Sequence, residues 1–224
     1  MGVEIRGVDD AFADQLEGVE CVDRRDADLL VTVGEEPLRA AATRGESRPI
    51  LAAGLASTLS PAREQLPELL EALPAEPPTV ESRPLSVTAG GGSSTAVFDT
   101  TLVTTEPARI SEYAISVDGR PHAEFRADGV VVATPLGSSD YGRAAGGPVL
   151  APETGLAVVP IAPFATIADT WVVEPPLSVR VERDDSVTVF ADTDQLAVGN
   201  AGLTAEISSD EPLSLVDGRR LELP

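Results

Sequence analysis

The chain has 224 residues, of which 42% are hydrophobic, so it is long enough and apolar enough to bury a core and is not a disordered protein. Its 37 acidic residues outnumber its 16 basic residues, all of which are arginine, and the formal net charge is −21. A surface this acidic repels nucleic acids and anionic membranes, which excludes both as expected partners.

The acidic surface also predicts the cellular environment. Carboxylates at this density repel one another unless salt screens them, and the screening length falls to about 3 Å at 1 M salt. An acid-rich composition without lysine indicates a haloarchaeal-type, high-salt host.

The polar N-terminal residues do not resemble a signal peptide, and prolines interrupt the one long apolar run, 156–173, so we expect a cytoplasmic protein. The single cysteine, Cys21, excludes a disulfide framework and a cysteine metal site within one chain.

Residues 1–78 predict a small α/β domain. Apolar runs that end in glycine predict buried strands, and a proline in the first turn of a segment predicts a helix start. The predicted elements are a strand over 19–22, a strand over 28–33, a helix over 37–43, a strand over 49–53 and a helix over 60–73 capped by Ser60. Alternating strands and helices imply a parallel βαβ unit whose functional edge is formed by the carboxyl ends of the strands.

A proline-rich stretch, 74–86, predicts a linker to the next domain. The glycine cluster that follows it, 89–94, has two competing interpretations, a phosphate-binding loop and a hairpin or flexible loop. Neither a P-loop lysine nor a helix start comes after the glycines, so the second interpretation is favoured.

Residues 79–224 predict a mostly-β domain. Strands are predicted over 100–104, 113–117, 123–125, 130–133, 156–161, 171–173, 177–181, 187–191, 203–207 and 213–215, with a hairpin at Asp118-Gly119 and a short helix near 142–145. The spacing of the turns favours two packed sheets. The predicted fold class is therefore α/β followed by β: a truncated, Rossmann-like α/β domain and a sandwich-like β domain, whose C-terminal segment is free to pack back on the first domain.

The segment 128–148 carries the strongest functional signal. A buried strand over 130–133 leads into Thr134-Pro-Leu-Gly-Ser-Ser139, a turn whose hydroxyls and backbone N–H groups suit a ligand rich in hydroxyls and phosphates. Tyr141 adds an aromatic face and one hydroxyl beside the turn. Taken as an isolated turn, the same residues are compatible with a strand, a turn and a surface helix that bind nothing.

This segment resembles the nucleotide-site signature of the NAD kinase family. The signature is an acidic residue and glycine, a strand, Thr-Pro-x-Gly-Ser-Thr-x-Tyr and a Gly-Gly-Pro step, and it matches Asp128-Gly129, 134–141 and 146–148. Further matches are the strand, loop and helix of 29–40, the strand and loop of 50–56, and Val-Pro-Ile-Ala-Pro at 159–163. The resemblance covers about 28–190, and by this comparison the first strand and helix of the family are missing.

The resemblance implies phosphorylation of the 2′-hydroxyl of NAD to give NADP, with ATP or polyphosphate as donor and Mg²⁺ on the phosphates. It also implies a homodimer or homotetramer with sites shared between subunits. It assigns the base to Glu35 and no residue as a metal ligand. It assigns nucleotide binding to Gly34, Asp99, Asp128, Thr134, Ser138, Ser139 and Tyr141.

The departures from the family pattern leave two functions open. Where the family has Gly-Gly-Asp-Gly-Thr, this chain has Val33-Gly34-Glu35-Glu36-Pro37, so two glycines are lost and two carboxylates face the expected phosphates. At 4 Å each such pair of charges costs about 4 kcal/mol at an effective dielectric of 20 unless Mg²⁺ intervenes. These carboxylates either hold that Mg²⁺ or form a solvated helix start.

A second departure replaces the family's Asn-Glu pair, which grips the adenosine end of NAD, with Phe98-Asp99. The carboxylate remains at Asp99, and Phe98 either stacks on a base or fills the core. The alternative to an active kinase is therefore a catalytically silent relative that binds NAD(P) as a sensor or as a partner subunit.

Overall fold

The computed structural model describes residues 2–16, 21–106, 110–166, 168–183 and 186–221. The chain divides into two compact units, of which Met1–Ser82 with Pro212–Pro224 form the first and Arg83–Glu211 form the second. The sequence predicts 79–82 and the C-terminal segment as parts of the second domain, with that segment free to pack back on the first. Both belong to the first unit because both supply strands to its sheet.

The described residues form seventeen strands and four α-helices. The strands are β1 (Val3–Arg6), β2 (Leu29–Val33), β3 (Ile50–Ala53), β4 (Thr79–Ser82), β5 (Leu85–Ala89), β6 (Gly92–Ala96), β7 (Asp99–Thr104), β8 (Ser111–Val117), β9 (Arg120–Ala127), β10 (Gly129–Ala133), β11 (Leu156–Ile161), β12 (Trp171–Val173), β13 (Leu177–Arg183), β14 (Val187–Ala191), β15 (Asp194–Gly199), β16 (Thr204–Ser209) and β17 (Leu213–Val216). The helices are α1 (Asp10–Ala13), α2 (Glu35–Thr43), α3 (Leu66–Ala72) and α4 (Tyr141–Ala144). None of these helices combines the length and the apolar character needed to cross a bilayer.

The first unit is a five-stranded sheet in the order β1-β2-β3-β17-β4, with parallel pairing up to β17 and antiparallel pairing of β17 with β4. Every residue of β2 is buried, as expected for a strand covered on both faces. Phe12, Leu16 and Leu66, from outside the strands, pack against one face of the sheet.

Two expectations for this unit need correction, and a third falls partly outside the described residues. The first strand and helix are present as β1 and α1, and were missed because only Val3 of the four strand residues is buried. Ser60 caps no helix: its hydroxyl accepts the Leu55 backbone N–H at 3.0 Å, and a 3₁₀ turn at Arg63–Gln65 precedes α3. Of the strand predicted over 19–22, the first two residues lie outside the described ranges, and Cys21 forms a single bridge with Val3.

The second unit is a sandwich of two antiparallel sheets, which confirms the predicted fold class. The sheets have the orders β12-β11-β10-β7-β14-β15 and β6-β5-β16-β13-β8-β9. Val130 and Val132 of one sheet and Val179 of the other are fully buried in one shared core. Burial of a valine side chain stabilises a fold by about 1.5–3 kcal/mol, so this alternating pattern is what holds the sheets together.

The glycine cluster at 89–94 spans the hairpin between β5 and β6, whose two turn residues, Gly90 and Gly91, are both at positive φ. Asp118 and Gly119 form the corresponding turn between β8 and β9. Both segments are therefore structural, as the sequence favoured.

Candidate functional site

The ends of β10, β7 and β14 meet at one end of the sheet β12-β11-β10-β7-β14-β15. The register pairs Ala133, the last residue of β10, with Asp99, the first residue of β7. On the other side of β7, Thr100 pairs with Ala191, the last residue of β14. The turn that starts at Thr134, the carboxylate of Asp99 and the turn after β14 are consequently neighbours.

Two of the predicted ligand-binding hydroxyls are buried and used inside the protein. Thr134 is fully buried, and its hydroxyl donates to the carbonyl oxygens of Val97 and Phe98 at 2.8 and 3.0 Å. Ser138 is also fully buried; its hydroxyl donates to Pro135 O at 2.8 Å and accepts the Leu150 N–H at 2.9 Å. These hydroxyls are therefore already paired with backbone groups of the protein, and they fix the shape of the turn.

Gly137 is required by the close approach of the turn to the neighbouring backbone. A Cβ atom at this position would overlap the carbonyl oxygen and the Cα atom of Phe98. Phe98 is itself only 8% exposed, so its side chain belongs to the buried core. The turn and the Phe98-Asp99 segment therefore pack directly on each other.

At this end of the sheet, the hydroxyl groups that remain available to a ligand are those of Ser139 and Tyr141. Ser139 is half-buried, and Tyr141, the first residue of α4, is 42% exposed. Neither hydroxyl has a hydrogen-bond partner among the described residues. They are therefore free to bind polar oxygens of a ligand, with the tyrosine ring offering additional contact area.

Asp99, which pairs with the last residue of β10 at this sheet end, is half-buried. One of its carboxylate oxygens accepts the Thr101 hydroxyl at 3.0 Å. Ionised carboxylates have capacity for several donors, so Asp99 can also bind a hydroxyl or amine of a ligand.

Asp192, which follows β14, lies at this sheet end and is not predicted from the sequence. Its carboxylate accepts the backbone N–H groups of Val97, Phe98 and Asp99 at 2.9, 2.8 and 3.1 Å. The one local signal was an aspartate in the polar turn after a buried strand, where aspartate commonly binds backbone N–H groups. That signal does not show that the backbone N–H groups bound by Asp192 lie more than ninety residues earlier in the chain.

Asp128 lies at the other end of β10, away from the turn. Its backbone pairs with Ile161 and Thr104, and its half-buried carboxylate has no hydrogen-bond or ionic partner among the described residues. Six residues of extended chain place it about 20 Å from Thr134. Within one chain, therefore, Asp128 and Thr134 lie at opposite ends of β10, although both belong to one continuous signature in the sequence.

Gly34 and Glu35 belong to the other unit, at the carboxyl end of β2. Gly34 has a φ of 84°, donates its N–H to Ala53 O at 2.9 Å and has open space where a Cβ would lie. Glu35 is half-buried and Glu36 exposed, and both lie in the first turn of α2, where the helix dipole stabilises carboxylates. The described residues contain no cluster of three or more metal-binding side chains.

Residues 99–217 match the family model described as the ATP-NAD kinase C-terminal domain. An NAD kinase of Methanocorpusculum labreanum is 31% identical over 163 residues, covering 70% of this chain and 60% of the relative. An NAD kinase of Methanothermobacter thermautotrophicus is 34% identical over 173 residues, covering 73% of this chain and 60% of the relative. The chain thus spans about 60% of the length of these two relatives.

Two solved structures share the fold. An NAD kinase from Archaeoglobus fulgidus in complex with ATP has a TM-score of 0.72 at 23% identity, covering 98% of this chain and 94% of that chain. Yeast NADH kinase complexed with NADH has a TM-score of 0.67 at 18% identity, covering 85% of this chain and 62% of that one. At these identities the likeness concerns the fold alone.

Proposed function

Because the chain belongs to the ATP-NAD kinase family, we propose that it binds NAD and phosphorylates the 2′-hydroxyl of the dinucleotide to give NADP. One observation supports this most directly. The free hydroxyls of Ser139 and Tyr141 lie at the same sheet end as the carboxylate of Asp99, on a turn held rigid by buried hydrogen bonds.

The binding roles follow from where each group lies and from which hydroxyls are already paired within the protein. Asp99 accepts a hydroxyl or exocyclic amine of the adenosine end, while Ser139 and Tyr141 bind polar oxygens of the dinucleotide. Thr134 and Ser138 contribute by holding the turn in shape, since their hydroxyls are already paired. Because the turn is already ordered before the ligand binds, it loses less conformational entropy on binding than a flexible loop would.

Glu35 is proposed as the base. Its carboxylate has no partner among the described residues, so it can accept the proton as the 2′-oxygen attacks the terminal phosphorus of ATP or polyphosphate. The new O–P bond forms as the bond to the leaving phosphate breaks, and the shortened donor leaves. When bound, Mg²⁺ would neutralise charge on the transferred group. Gly34 keeps the backbone at the start of α2 open to the phosphates.

Asp128 is proposed to act in a shared site. A half-buried carboxylate without a partner, about 20 Å along the strand from the turn, suits contact with nucleotide bound mainly by a second copy of the chain. The assembly would be a homodimer or homotetramer.

One feature of α2 favours a second function, that of a catalytically silent relative that binds NAD(P). Its first turn carries Glu35 and Glu36 where a glycine-rich approach to phosphate is expected, and the two charges repel a triphosphate. In this second proposal the protein binds NAD(P) without transferring phosphate.

We also propose that the protein works in a high-salt cytoplasm of haloarchaeal type. The net charge of −21 is the observation behind this. Raising KCl from 0.1 to roughly 2 M is expected to raise the thermal midpoint, since screening weakens the repulsion among surface carboxylates.

The test of the function is an assay of the purified chain in molar KCl with NAD, Mg²⁺ and either ATP or polyphosphate. Formation of NADP that is lost on Glu35→Ala supports the kinase. Saturable NAD binding without NADP from either donor contradicts the kinase and supports the silent relative. If NAD does not bind at all, both proposals fail.

A further inference from the structure

The segment that carries Asp99 begins with three backbone N–H groups held by one side chain. Val97 donates to one carboxylate oxygen of Asp192, and Phe98 and Asp99 both donate to the other, all within 3.1 Å. The backbone N–H of Asp192 in turn donates to Asp99 O at 2.8 Å. Buried N–H groups without partners are costly, so this carboxylate fixes the path of all three residues.

The same segment is held on its other side by the turn after β10. The carbonyl of Phe98 accepts both the backbone N–H of Thr134, at 2.9 Å, and its hydroxyl, while Val97 O accepts that hydroxyl as well. The backbone of 97–99 therefore joins Asp192 to the turn that presents Ser139 and Tyr141. Movement of this segment would displace the carboxylate of Asp99 and the hydroxyls on the turn together.

We propose that Asp192 is a positioning residue of the nucleotide site. It does not contact NAD; it orients Asp99 directly and the Thr134 turn through the backbone of Phe98. This inference rests on the proposed binding of NAD, and it adds a residue whose role the sequence did not indicate.

A carboxylate is suited to this role for two reasons. Its two oxygens are both acceptors, so three converging N–H groups can be paired without any donor facing them. Hydrogen bonds to an ionised acceptor are also stronger than bonds to a neutral one. An asparagine keeps one acceptor oxygen and turns an NH₂ group towards a backbone N–H, so it should retain only part of the arrangement.

The experiment compares the wild type with Asp192→Asn, Asp192→Ala and a control, Asp118→Ala. Asp118 is a second aspartate of the same unit at a left-handed φ, 55° against 51° for Asp192, and its exposed carboxylate accepts no hydrogen bond in the described part of the chain. The control therefore measures the effect of an alanine at positive φ without the loss of backbone pairing. Two readouts are used: the dissociation constant of NAD by calorimetry, and amide hydrogen exchange at residues 97–99.

The expected result is graded. Asp192→Ala should weaken NAD binding about tenfold or more and Asp192→Asn by less, as expected for loss of charge-assisted bonds. Exchange at 97–99 should accelerate in the same order while core strands such as β13 stay protected. The control should bind NAD like the wild type.

Three outcomes separate this inference from the proposed function. If the wild type binds NAD and both Asp192 variants bind it equally well, the positioning role is refuted while the function stands. If exchange accelerates uniformly rather than at 97–99, Asp192 stabilises the whole fold and the inference is wrong. If the wild type itself does not bind NAD, the proposed function fails, and the positioning role falls with it. Should Asp192→Ala not fold, Asp192→Asn decides by the same measurements.

Discussion

Asp128 and Thr134 lie at opposite ends of β10, so one continuous signature in the sequence serves two separate places on the molecule. The strand between them is buried on both faces, with Val130 and Val132 in the sandwich core and Val131 in a second cluster on the outer face. A strand fixed in this way cannot bend to bring its ends together. The functional meaning of Asp128 therefore depends on what lies at its own end.

The shared site can be tested by mixing two inactive variants, Asp128→Ala and Tyr141→Ala. If the assembly is a dimer whose subunits exchange, a mixed dimer contains one intact site, and about a quarter of wild-type activity should return at equal mixing. Steady-state formation of NADP measures this. A mixture of Tyr141→Ala and Ser139→Ala, whose changes lie at the same sheet end, should show only the mean activity of the two variants assayed separately. An equal gain above that mean in both mixtures would contradict the proposal.

Glu35→Ala should lower kcat by about 10²–10⁴-fold and leave the dissociation constant of NAD nearly unchanged, because a general base acts in the transition state. Single-turnover kinetics with calorimetry separate the two quantities. Glu68→Ala is the matched control, since Glu68 is an exposed acid in the first turn of α3. If the kcat of Glu35→Ala equals that of the wild type, Glu35 is not the general base.

Ser138 and Ser139 are adjacent serines with opposite expected behaviour. Ser138→Ala removes two buried hydrogen bonds and leaves the Leu150 N–H unpaired, so the free energy of unfolding should fall by about 1–3 kcal/mol. Ser139→Ala should leave stability unchanged and raise the dissociation constant of NAD several-fold, by about the worth of one hydrogen bond. Urea unfolding and calorimetry on both variants check this, and a reversal of the two effects would show that the assignment is wrong.

Gly137→Ala should destabilise the second unit strongly, because its Cβ would overlap the backbone of Phe98. The loss should exceed about 2 kcal/mol, a value typical of forced backbone shifts. Gly146→Ala is the control: its Cβ meets no atom within 4 Å, and only its φ of 99° opposes a side chain, at a cost of about 1–2 kcal/mol. Equal stability of the two variants in urea unfolding would show that the close approach does not matter.

Glu46 in the first unit predicts an acid-dependent contribution to stability. The Arg48 guanidinium, donating at 2.8 and 2.7 Å, lowers the pKa of Glu46 from 4.5 to about 2, although burial opposes the shift. Because the folded pKa lies below the unfolded one, the contribution is complete above pH 4.5 and disappears as the pH falls towards 2.

Glu46→Gln should therefore lower the free energy of unfolding at pH 7 by up to about 3 kcal/mol, and the difference from the wild type should shrink as the pH falls through that window. Urea unfolding at a series of pH values measures it. Glu76→Gln, at an exposed glutamate without an ion pair among the described residues, should show no such pH dependence.

The sequence by itself determined the fold class and the location of the main turn. Alternating apolar residues in strands such as β13 and the continuous apolar run of β10 predict half-buried and fully buried strands, because side chains of a strand point to opposite faces. Turn residues such as Asp118-Gly119 predicted their hairpin because few residues tolerate positive φ. These are local effects, and local sequence is sufficient to reveal them.

Only the tertiary structure decided which polar groups of the turn are free. Thr134, Ser138 and Ser139 are all small residues with one hydroxyl group. The hydroxyls of the first two nevertheless form hydrogen bonds inside the protein, because burial depends on what packs against each residue. Asp192 and Phe98 lie 94 residues apart along the chain, and their hydrogen bond follows from the pairing of β7 with β14. Strand pairing and burial arise from the whole chain, which is why neither could be derived from the residues of the turn alone.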